Sequence, residues 1–293
     1  LVLHWWPAPD GGTARHSLIQ PILNHHSEFT KMPQLKAGAV LADADLIVFD
    51  KDGTLIDFHA LWGPRMVKSA EALRAALAPD TVSLDDLYLA SGYDHQIGHT
   101  CSQGPLATAP VRDLEIVVAT VLFQSGLTWD KARALVNQHF SPVMCALPKP
   151  AEIKARGDVR SVLMRLRAAG FRLAVATSDN RGPTEVALEA IGVTELVDLT
   201  LCGDDTTGPT KPDPQALEHL GEQLNIPVSR MVMVGDTVSD MEMANQAGAA
   251  LAVGLPGGAD SREALSQMTG VLLRSIEDLL PQDGPSPSSD PPS

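Results

Sequence analysis

The pattern of apolar and polar positions changes abruptly around residue 50. The apolar run Leu46–Phe49 leads without a break into two carboxylates, Asp50 and Asp52. A short, unbroken apolar run that ends at a turn signal is typical of a strand buried on both faces of a parallel sheet. Open parallel sheets bind their ligands just beyond the carboxyl ends of the strands. We therefore expect Asp50 and Asp52 at the functional edge of such a sheet.

After residue 150, apolar runs alternate with segments of helical periodicity. The predicted strands cover 171–177, 196–202, 231–234 and 249–253. The predicted helices cover 160–169, 184–191, 214–224 and 239–247. This alternation predicts an α/β fold, a doubly wound parallel sheet with right-handed crossovers.

An insert of about a hundred residues separates the first strand from the second, far more than most connections in compact domains. Helical spacing of apolar residues predicts helices over 61–77, 111–124 and 129–140, with a Gly-rich loop over 92–110. We interpret the insert as a helical cap over the sheet. The predicted divisions are an N-terminal extension (1–44), the core (45–57 and 151–280), the cap (58–150) and a disordered Pro- and Ser-rich tail (281–293).

Composition limits the partners of the chain. The formal net charge is −14 and the sequence pI is about 4.9, so the surface repels phosphate backbones and nucleic acid is excluded as a partner. A small phosphorylated ligand remains compatible, because a bound metal reverses the local field. No apolar stretch approaches the roughly 20 residues that span a bilayer, which predicts no membrane association. We expect a monomer or a homodimer.

The cysteines indicate the compartment. There are three, they are widely spaced, and none forms a CxxC pair. A disulfide framework or a zinc site is therefore not expected, and the chain is assigned to a reducing compartment such as the cytoplasm. The start of the chain also lacks the basic and apolar regions of a secretory signal.

Four separate segments end in chemically active side chains. The first carries Asp50 and Asp52, followed by Gly53 and Thr54. The second ends in Thr177 and Ser178, the third places Lys211 just before a helix, and the fourth is the run 235–240 with Asp236 and Asp240. A nucleophile, an acid/base, hydroxyls, a cation and further carboxylates together suit phosphoryl transfer.

In their order and separations, these segments resemble the four motifs of the haloacid dehalogenase superfamily. The resemblance covers about residues 45–280, and the insert lies where the superfamily places its type 1 helical cap. The most similar subgroup is the phosphoglycolate phosphatase-like hydrolases. Any one segment is weak, since Asp/Gly clusters commonly end strands, whereas the four in order are highly specific.

The resemblance implies a role for each residue. Asp50 is the nucleophile that forms an aspartyl-phosphate, and Asp52 is the general acid and base. Thr177, Gly53 and the Ser178 backbone N–H bind phosphate, and Lys211 neutralises charge. Mg²⁺ is the implied cofactor, and its implied ligands are Asp50, the Asp52 carbonyl, Asp236 and Asp240, the last directly or through water.

The implied activity is hydrolysis of a small phosphomonoester, phosphoglycolate being one candidate. Asp52 argues against the true dehalogenases, which lack this second aspartate because a halide leaves without a proton. A sugar-phosphate mutase shares both aspartates and stays open, as does a binding protein that retains the fold without catalysis. Asp240 has a competing role as a charge that favours the start of a helix.

Other positions are weaker candidates. Alternation along a buried strand predicts that Lys51 points away from the two aspartates. Residues at the start of the cap are candidates for substrate contact or hinge packing: Asp57, Phe58, His59, Trp62 and Arg65. Three residues of the cap loop are candidates for specificity only: His95, His99 and Gln103. Trp5 and Trp6 could dock on the domain.

Overall fold

Five parallel strands form the central sheet of the computed structural model, which describes residues 33–101, 104–206 and 208–282. The strands of the described chain are β1 (Gln34–Ala37), β2 (Val40–Asp43), β3 (Leu46–Phe49), β4 (Tyr93–Asp94), β5 (His99–Thr100), β6 (Arg172–Ala176), β7 (Leu199–Leu201), β8 (Met231–Gly235), β9 (Leu251–Gly254) and β10 (Leu279–Gln282). The central sheet has the order β7-β6-β3-β8-β9, with every neighbouring pair parallel.

The helices divide between the insert and the core. Those of the insert are α1 (Phe58–Ala75), α2 (Leu84–Ser91), α3 (Pro105–Thr108), α4 (Val111–Gln124), α5 (Trp129–Leu135) and α6 (Ser141–Met144). Those of the core are α7 (Val159–Ala168), α8 (Arg181–Ala190), α9 (Gln215–Leu224), α10 (Val238–Ala247) and α11 (Arg262–Met268). The predicted fold class, a doubly wound α/β core with an inserted helical cap, is confirmed.

Side-chain alternation along the strands builds two apolar layers. On β3, Ile47 packs into the layer that holds α7, while Val48 packs into the layer that holds α9, α10 and α11. Both side chains are fully buried. Each such burial stabilises the fold by about 1.5–3 kcal/mol. An apolar run without polar interruption is therefore required, because both faces of the sheet are covered.

The cap has its own apolar core and a narrow connection to the sheet. A buried cluster joins α1 to the helices α4, α5 and α6. The chain enters and leaves the cap side by side, where Ile56 pairs with Ala155 and the Asp57 N–H donates to the Lys154 carbonyl at 2.8 Å. The cap is therefore joined to the core by two neighbouring chain segments, one entering and one leaving it, next to the carboxyl end of β3.

Helix boundaries in the cap differ from the predicted ones for local reasons. Helix α1 begins at Phe58 rather than 61, because the Asp57 side chain caps it by accepting from the Ala60 N–H at 3.0 Å. The predicted helix 129–140 is α5 followed by a π-helical turn, Val136–Phe140. Helix α2 was missed, although Ser83 and Asp86 form its capping box.

Part of the predicted extension is a β-hairpin. Strands β1 and β2 pair with each other, and β1 also pairs with β10, all antiparallel. Leu35 and Ala37 are fully buried against the core, so this part of the predicted extension packs on it. Strand β10 also extends into the first residues of the predicted tail. Residues 1–32 and 283–293, Trp5 and Trp6 included, lie outside the described residues, and the division into extension, core and cap stays a prediction.

The helices of the described ranges are too short or too polar to span a membrane. None of them combines the length and the hydropathy that crossing a bilayer requires.

Candidate active site

The site lies where three neighbouring strands end at the same level. In the sheet, Phe49 at the end of β3 pairs with Val175 of β6 and Val234 of β8. Asp50 directly follows β3, while Thr177 and Asp236 directly follow β6 and β8. This in-register pairing brings together side chains that are far apart in the sequence.

Lys211 bridges two of the carboxylates. Its Nζ contacts Asp50 Oδ1 and lies 2.6 Å from Asp240 Oδ1, and all three side chains are buried. Burial disfavours the charged ammonium, but the carboxylates of Asp240 and Asp50 outweigh it and raise the pKa of Lys211 above its ordinary value. Lys211 is therefore a permanent positive charge beside Asp50.

Three carboxylates form a candidate metal centre. One oxygen each of Asp50, Asp236 and Asp240 lies within 4.8 Å of the others, and all three residues are buried. Burial, followed by the negative charge of Asp240, raises the pKa of Asp236 to about 7. Burial also raises the pKa of Asp50 well above its ordinary value, although the positive charge of Lys211 acts in the opposite direction. An oxygen-only donor set with mutual repulsion fits a hard divalent cation, which relieves that repulsion when bound.

Neighbouring groups hold the Asp236 carboxylate in place. Thr54 Oγ1 donates to Asp236 Oδ1 at 3.1 Å, and the Ala259 N–H donates to Asp236 Oδ2 at 2.6 Å. A Cβ at Gly53 or at Gly258 would overlap this carboxylate, so both positions need glycine. Sequence reasoning missed Ala259, because a backbone N–H leaves no residue-type signal.

Gly53 belongs to the turn rather than to the wall of the cavity. Its φ is +84°, and its N–H donates to the Ile56 carbonyl at 2.8 Å. The Arg156 guanidinium contacts the carbonyls of Gly53 and Pro256, and it donates to Leu255 O at 3.1 Å. Arg156, which sequence reasoning also missed, therefore ties the first motif to the loop that follows β9. The predicted phosphate contact of Gly53 stays a prediction.

Asp52 lies beside the same cavity with both carboxylate oxygens engaged. Trp62 Nε1 of α1 donates to Asp52 Oδ1 at 2.9 Å, and Lys51 Nζ lies 2.6 Å from Asp52 Oδ2. The expectation that Lys51 points away from the aspartates was wrong. Strand β3 ends at Phe49, and Lys51 already begins a turn in which its carbonyl accepts from Leu55 at 2.9 Å, so strand alternation no longer applies.

The two hydroxyl residues of the second segment, Thr177 and Ser178, share a cavity with Asp50. Thr177 is buried, its N–H donates to Leu201 O at 2.9 Å, and its Oγ1 accepts from the Asp179 N–H at 3.1 Å. Thr177 and Ser178 both line the cavity, as phosphate binding requires. Their phosphate contacts stay a prediction.

A cavity of about 750 Å³ connects the strand ends to the cap. Its core wall includes the predicted site residues Asp50, Asp52, Thr177, Ser178 and Lys211. Its cap wall is formed by Phe58, Trp62, Leu106, Ala107, Thr108, Ala109, Pro110, Val111, Arg112, Leu114, Glu115, Met144 and Cys145. Asp236 and Asp240 are fully buried and do not line the cavity, whereas Thr237, Val238 and Ser239 between them do. Four sequence segments thus converge on one space that the cap covers in part.

The structure separates most of the weaker candidates from this cavity. His59 stacks on the His99 ring at 4.1 Å and faces the Gly258 carbonyl at 3.1 Å. The Arg65 guanidinium is buried against the Met144 carbonyl and the Trp62 ring. His95 stacks on Tyr88, at 5.0 Å between ring centroids, and Gln103 lies outside the described residues. Of the cap-entry candidates, Phe58 and Trp62 line the cavity, whereas His59 and Arg65 do not.

The sequence of this chain matches the model of a known protein family. The model described as haloacid dehalogenase-like hydrolase matches residues 44–248. The chain belongs to the haloacid dehalogenase-like hydrolase family. The resemblance drawn from the four segments is thereby confirmed, and the chain is an enzyme of the hydrolase class. The match begins just before β3 and runs to the end of α10, so it includes all four segments.

Relatives from bacteria match this haloacid dehalogenase-like hydrolase over most of their length. A phosphoglycolate phosphatase of Colwellia psychrerythraea is 30% identical over 78% of this chain and 91% of that protein. A phosphoglycolate phosphatase of Neisseria meningitidis is 27% identical over 83% of this chain and 97% of that protein. The similarity spans both core and cap.

Solved structures agree on the fold. A predicted phosphoglycolate phosphatase from Haemophilus somnus has a TM-score of 0.56 at 21% identity, covering 80% of this chain and 96% of that one. A structure from Thermotoga maritima, provisionally named a β-phosphoglucomutase, has a TM-score of 0.55 at 21% identity, covering 80% of this chain and 95% of that one. Since structures provisionally named as a phosphatase and as a mutase share this fold, the fold alone does not select the reaction.

Proposed function

We propose that this hydrolase is a Mg²⁺-dependent phosphatase of small phosphomonoesters, with phosphoglycolate as the first candidate substrate. The observation that carries the proposal is the convergence of Asp50, Asp52 and Lys211 on one cavity. The names of the bacterial relatives support the choice of ester. Arg112, a cation of the cap wall, could meet the carboxylate of such a substrate.

The proposed reaction has two steps that share the same side chains. In the first, an Asp50 oxygen bonds to phosphorus as the ester P–O bond breaks, and the departing oxygen keeps the electron pair and takes a proton from Asp52. In the second, Asp52 accepts a proton from water as the water oxygen attacks phosphorus, which releases phosphate and restores Asp50. Lys211, beside Asp50, compensates the negative charge of the phosphate in both steps.

The metal belongs to the carboxylate cluster. Asp50 and Asp236 would hold Mg²⁺, with Asp240 and the Asp52 carbonyl completing or orienting the site. When bound, Mg²⁺ offsets the repulsion between an anionic nucleophile and an anionic phosphate. Within this arrangement Thr54 and Ala259 each donate a hydrogen bond to one oxygen of the Asp236 carboxylate and so prevent it from rotating.

A sugar-phosphate mutase remains the second candidate. The cavity, of about 750 Å³, has more room than a two-carbon acid needs, and the fold occurs in a provisionally named mutase. A mutase returns the phosphate to the sugar instead of passing it to water. Product analysis with a hexose phosphate separates the two, because a phosphatase releases inorganic phosphate and a mutase accumulates the isomeric sugar phosphate.

Phosphate release from a panel of small phosphomonoesters tests the proposal. The panel contains 2-phosphoglycolate, hexose phosphates, nucleoside monophosphates and 4-nitrophenyl phosphate. Release from one ester class with Mg²⁺ is expected, and EDTA is expected to lower the rate by about 10²-fold, because the metal supplies several kcal/mol of charge stabilisation. Restoring Mg²⁺ in excess over EDTA should restore the rate, which controls for damage to the protein.

Two outcomes of the panel would contradict the proposal. Equal rates with Mg²⁺ and with EDTA would exclude a metal-dependent reaction. A folded wild-type protein that releases phosphate from no ester would favour the alternative of a binding protein that retains the fold.

Mg²⁺ affinity is expected to weaken as the pH falls below about 7. Burial and Asp240 raise the pKa of Asp236 to about 7, and a carboxyl must lose its proton before it binds the ion. Calorimetric titration from about pH 8 to about pH 6 should show up to about a tenfold loss per pH unit at the acidic end. In the metal-free protein, the same raised pKa favours folding below the ordinary carboxyl pKa, and that contribution is lost as the pH rises to about 7.

The Asp236→Asn variant is the control for this titration. Its residual Mg²⁺ affinity should depend less steeply on pH than that of the wild type, because one of the carboxyls with a raised pKa is gone. A wild-type affinity that stays constant over the same range would contradict the assignment of Asp236 as a ligand.

The state of the cysteines is consistent with this proposal. Cys101, Cys145 and Cys202 are all free, which supports assignment to a reducing compartment. Burial raises the pKa of Cys202 to about 11, so this thiol stays protonated and acts as a small apolar group.

A further inference from the structure

Lys51 is a buried cation that the two-step reaction does not use. Its side chain is 1% exposed, and its Nζ lies 2.6 Å from Asp52 Oδ2 and 2.8 Å from Asp179 Oδ2. Asp179 follows β6 and is 9% exposed in its side chain. A lysine is rarely buried unless it is paired, because removing its charge from water is costly. This lysine, held between two carboxylates, lies next in sequence to both the nucleophile and the acid/base.

The contacts around Asp52 leave its carboxylate a single orientation. Lys51 holds Oδ2, and Trp62 of the cap holds Oδ1 by a hydrogen bond of 2.9 Å. A carboxylate exposed in a cavity otherwise samples several rotamers, and proton transfer requires the correct one. Asp179 is a second counter-ion of Lys51 and accepts a hydrogen bond of 2.8 Å from its ammonium.

We propose that Lys51, with Asp179 as its counter-ion, is a positioning residue that orients the Asp52 carboxyl toward the leaving oxygen of the substrate. This inference rests on the proposed function, in which Asp52 protonates that oxygen as its bond to phosphorus breaks. Lys51 acts only through Asp52: it does not line the cavity, whereas Asp52 does. It is distinct from Lys211, which contacts the nucleophile.

The proposal predicts that the loss of activity depends on the leaving group of the substrate, whereas a general loss of structure would affect all esters equally. An alkoxide leaves poorly without a proton, so hydrolysis of an alkyl phosphate needs an oriented Asp52. The 4-nitrophenolate ion leaves without a proton, so 4-nitrophenyl phosphate does not need it. The specificity constant kcat/KM reports only the steps up to formation of the phospho-enzyme, so it isolates this difference from the later attack of water.

Lys51→Met removes the ammonium and keeps a buried apolar chain. For the alkyl phosphate that is turned over fastest in the panel above, kcat/KM is expected to fall by about 10- to 100-fold. For 4-nitrophenyl phosphate the fall is expected to be less than about threefold. Asp52→Asn should show the same selective loss. Lys68→Met is the matched control, because Lys68 lies on α1 with its side chain 62% exposed and should leave both constants unchanged.

Asp179→Asn provides a second and milder variant. It removes the counter-ion while Lys51 and Asp52 remain, so a smaller loss with the same preference for the alkyl ester is expected. If Lys51→Met fails to fold, as judged by thermal unfolding, this variant alone decides the question.

Equal losses for the two esters in a folded variant, or no loss for either, would overturn the inference. In both cases Lys51 would be a structural ion pair only. These results leave the proposed phosphatase activity intact provided that the wild type hydrolyses the panel, so the two failures are distinguishable.

Discussion

Asp50→Asn is expected to lower phosphate release by more than about 10⁴-fold while the protein stays folded. The amide cannot form the bond to phosphorus that begins the proposed reaction. The substitution keeps the volume of the side chain and an oxygen for Lys211, and it removes one of three mutually repelling carboxylates. The unfolding temperature of the metal-free variant should therefore stay near that of the wild type.

The measurement combines steady-state phosphate release with acid-quench trapping of the phospho-enzyme. Wild-type protein should yield an acid-stable, hydroxylamine-sensitive acyl phosphate, and Asp50→Asn should yield none. Asp130→Asn, an exposed aspartate of the cap helix α5, is the matched control and should behave as wild type. Substantial turnover by folded Asp50→Asn would refute Asp50 as the nucleophile.

Asp52→Asn is expected to slow turnover of an alkyl phosphate by about 10³-fold. The amide can neither protonate the leaving oxygen nor accept a proton from water, so both steps should suffer. The Asn NH₂ group would also face either Lys51 or Trp62, each of which is a donor, and one hydrogen bond would be lost. Rapid-quench measurement of phospho-enzyme formation and of its hydrolysis should show that both rates fall.

Two comparisons make the Asp52→Asn result specific. Trapped phospho-enzyme should still form from 4-nitrophenyl phosphate, because its leaving group needs no proton, and then decay slowly. Wild-type rates for both steps would exclude Asp52 as the acid and base. Loss of phospho-enzyme formation from every ester would instead indicate that the variant disturbs Asp50.

Taken alone, the sequence was enough to predict the main strands of the sheet and the polar residues that directly follow them. The apolar runs 46–49, 171–177 and 231–234 predicted strands that the structure contains with boundaries shifted by about one residue. A strand that is buried on both faces requires an unbroken run of apolar residues. Such a run can be recognised in the sequence without knowledge of the strand's neighbours. The carboxylates and hydroxyls that directly follow these strands had to meet, because parallel strands in register end together.

The sequence was less informative where short elements depend on distant partners. Strands β1, β2 and β10 were missed, because a four-residue strand has little periodicity of its own and β1 pairs with β10 across more than two hundred residues of chain. The Gly-rich stretch 92–110 was predicted as a loop, yet it contains the ribbon of β4 and β5 as well as α3. Helix α2 had a readable capping box at Ser83, so that signal was available and was not used.

Only the tertiary structure decided which side chains surround Asp52, the proposed acid/base. The pairs Lys51–Asp179 and Trp62–Asp52 join the first motif to the second strand end and to the cap, and the first of them spans 128 residues of sequence. Local periodicity reports which face of an element is buried, not which partner covers it. A buried lysine is therefore indistinguishable in sequence from a solvated one, and His59 and Arg65 looked as suited to the cavity as Trp62. The packing of the cap on the sheet decides which of these side chains lines the cavity. It determines which polar groups are removed from water and must form hydrogen bonds or ion pairs within the protein.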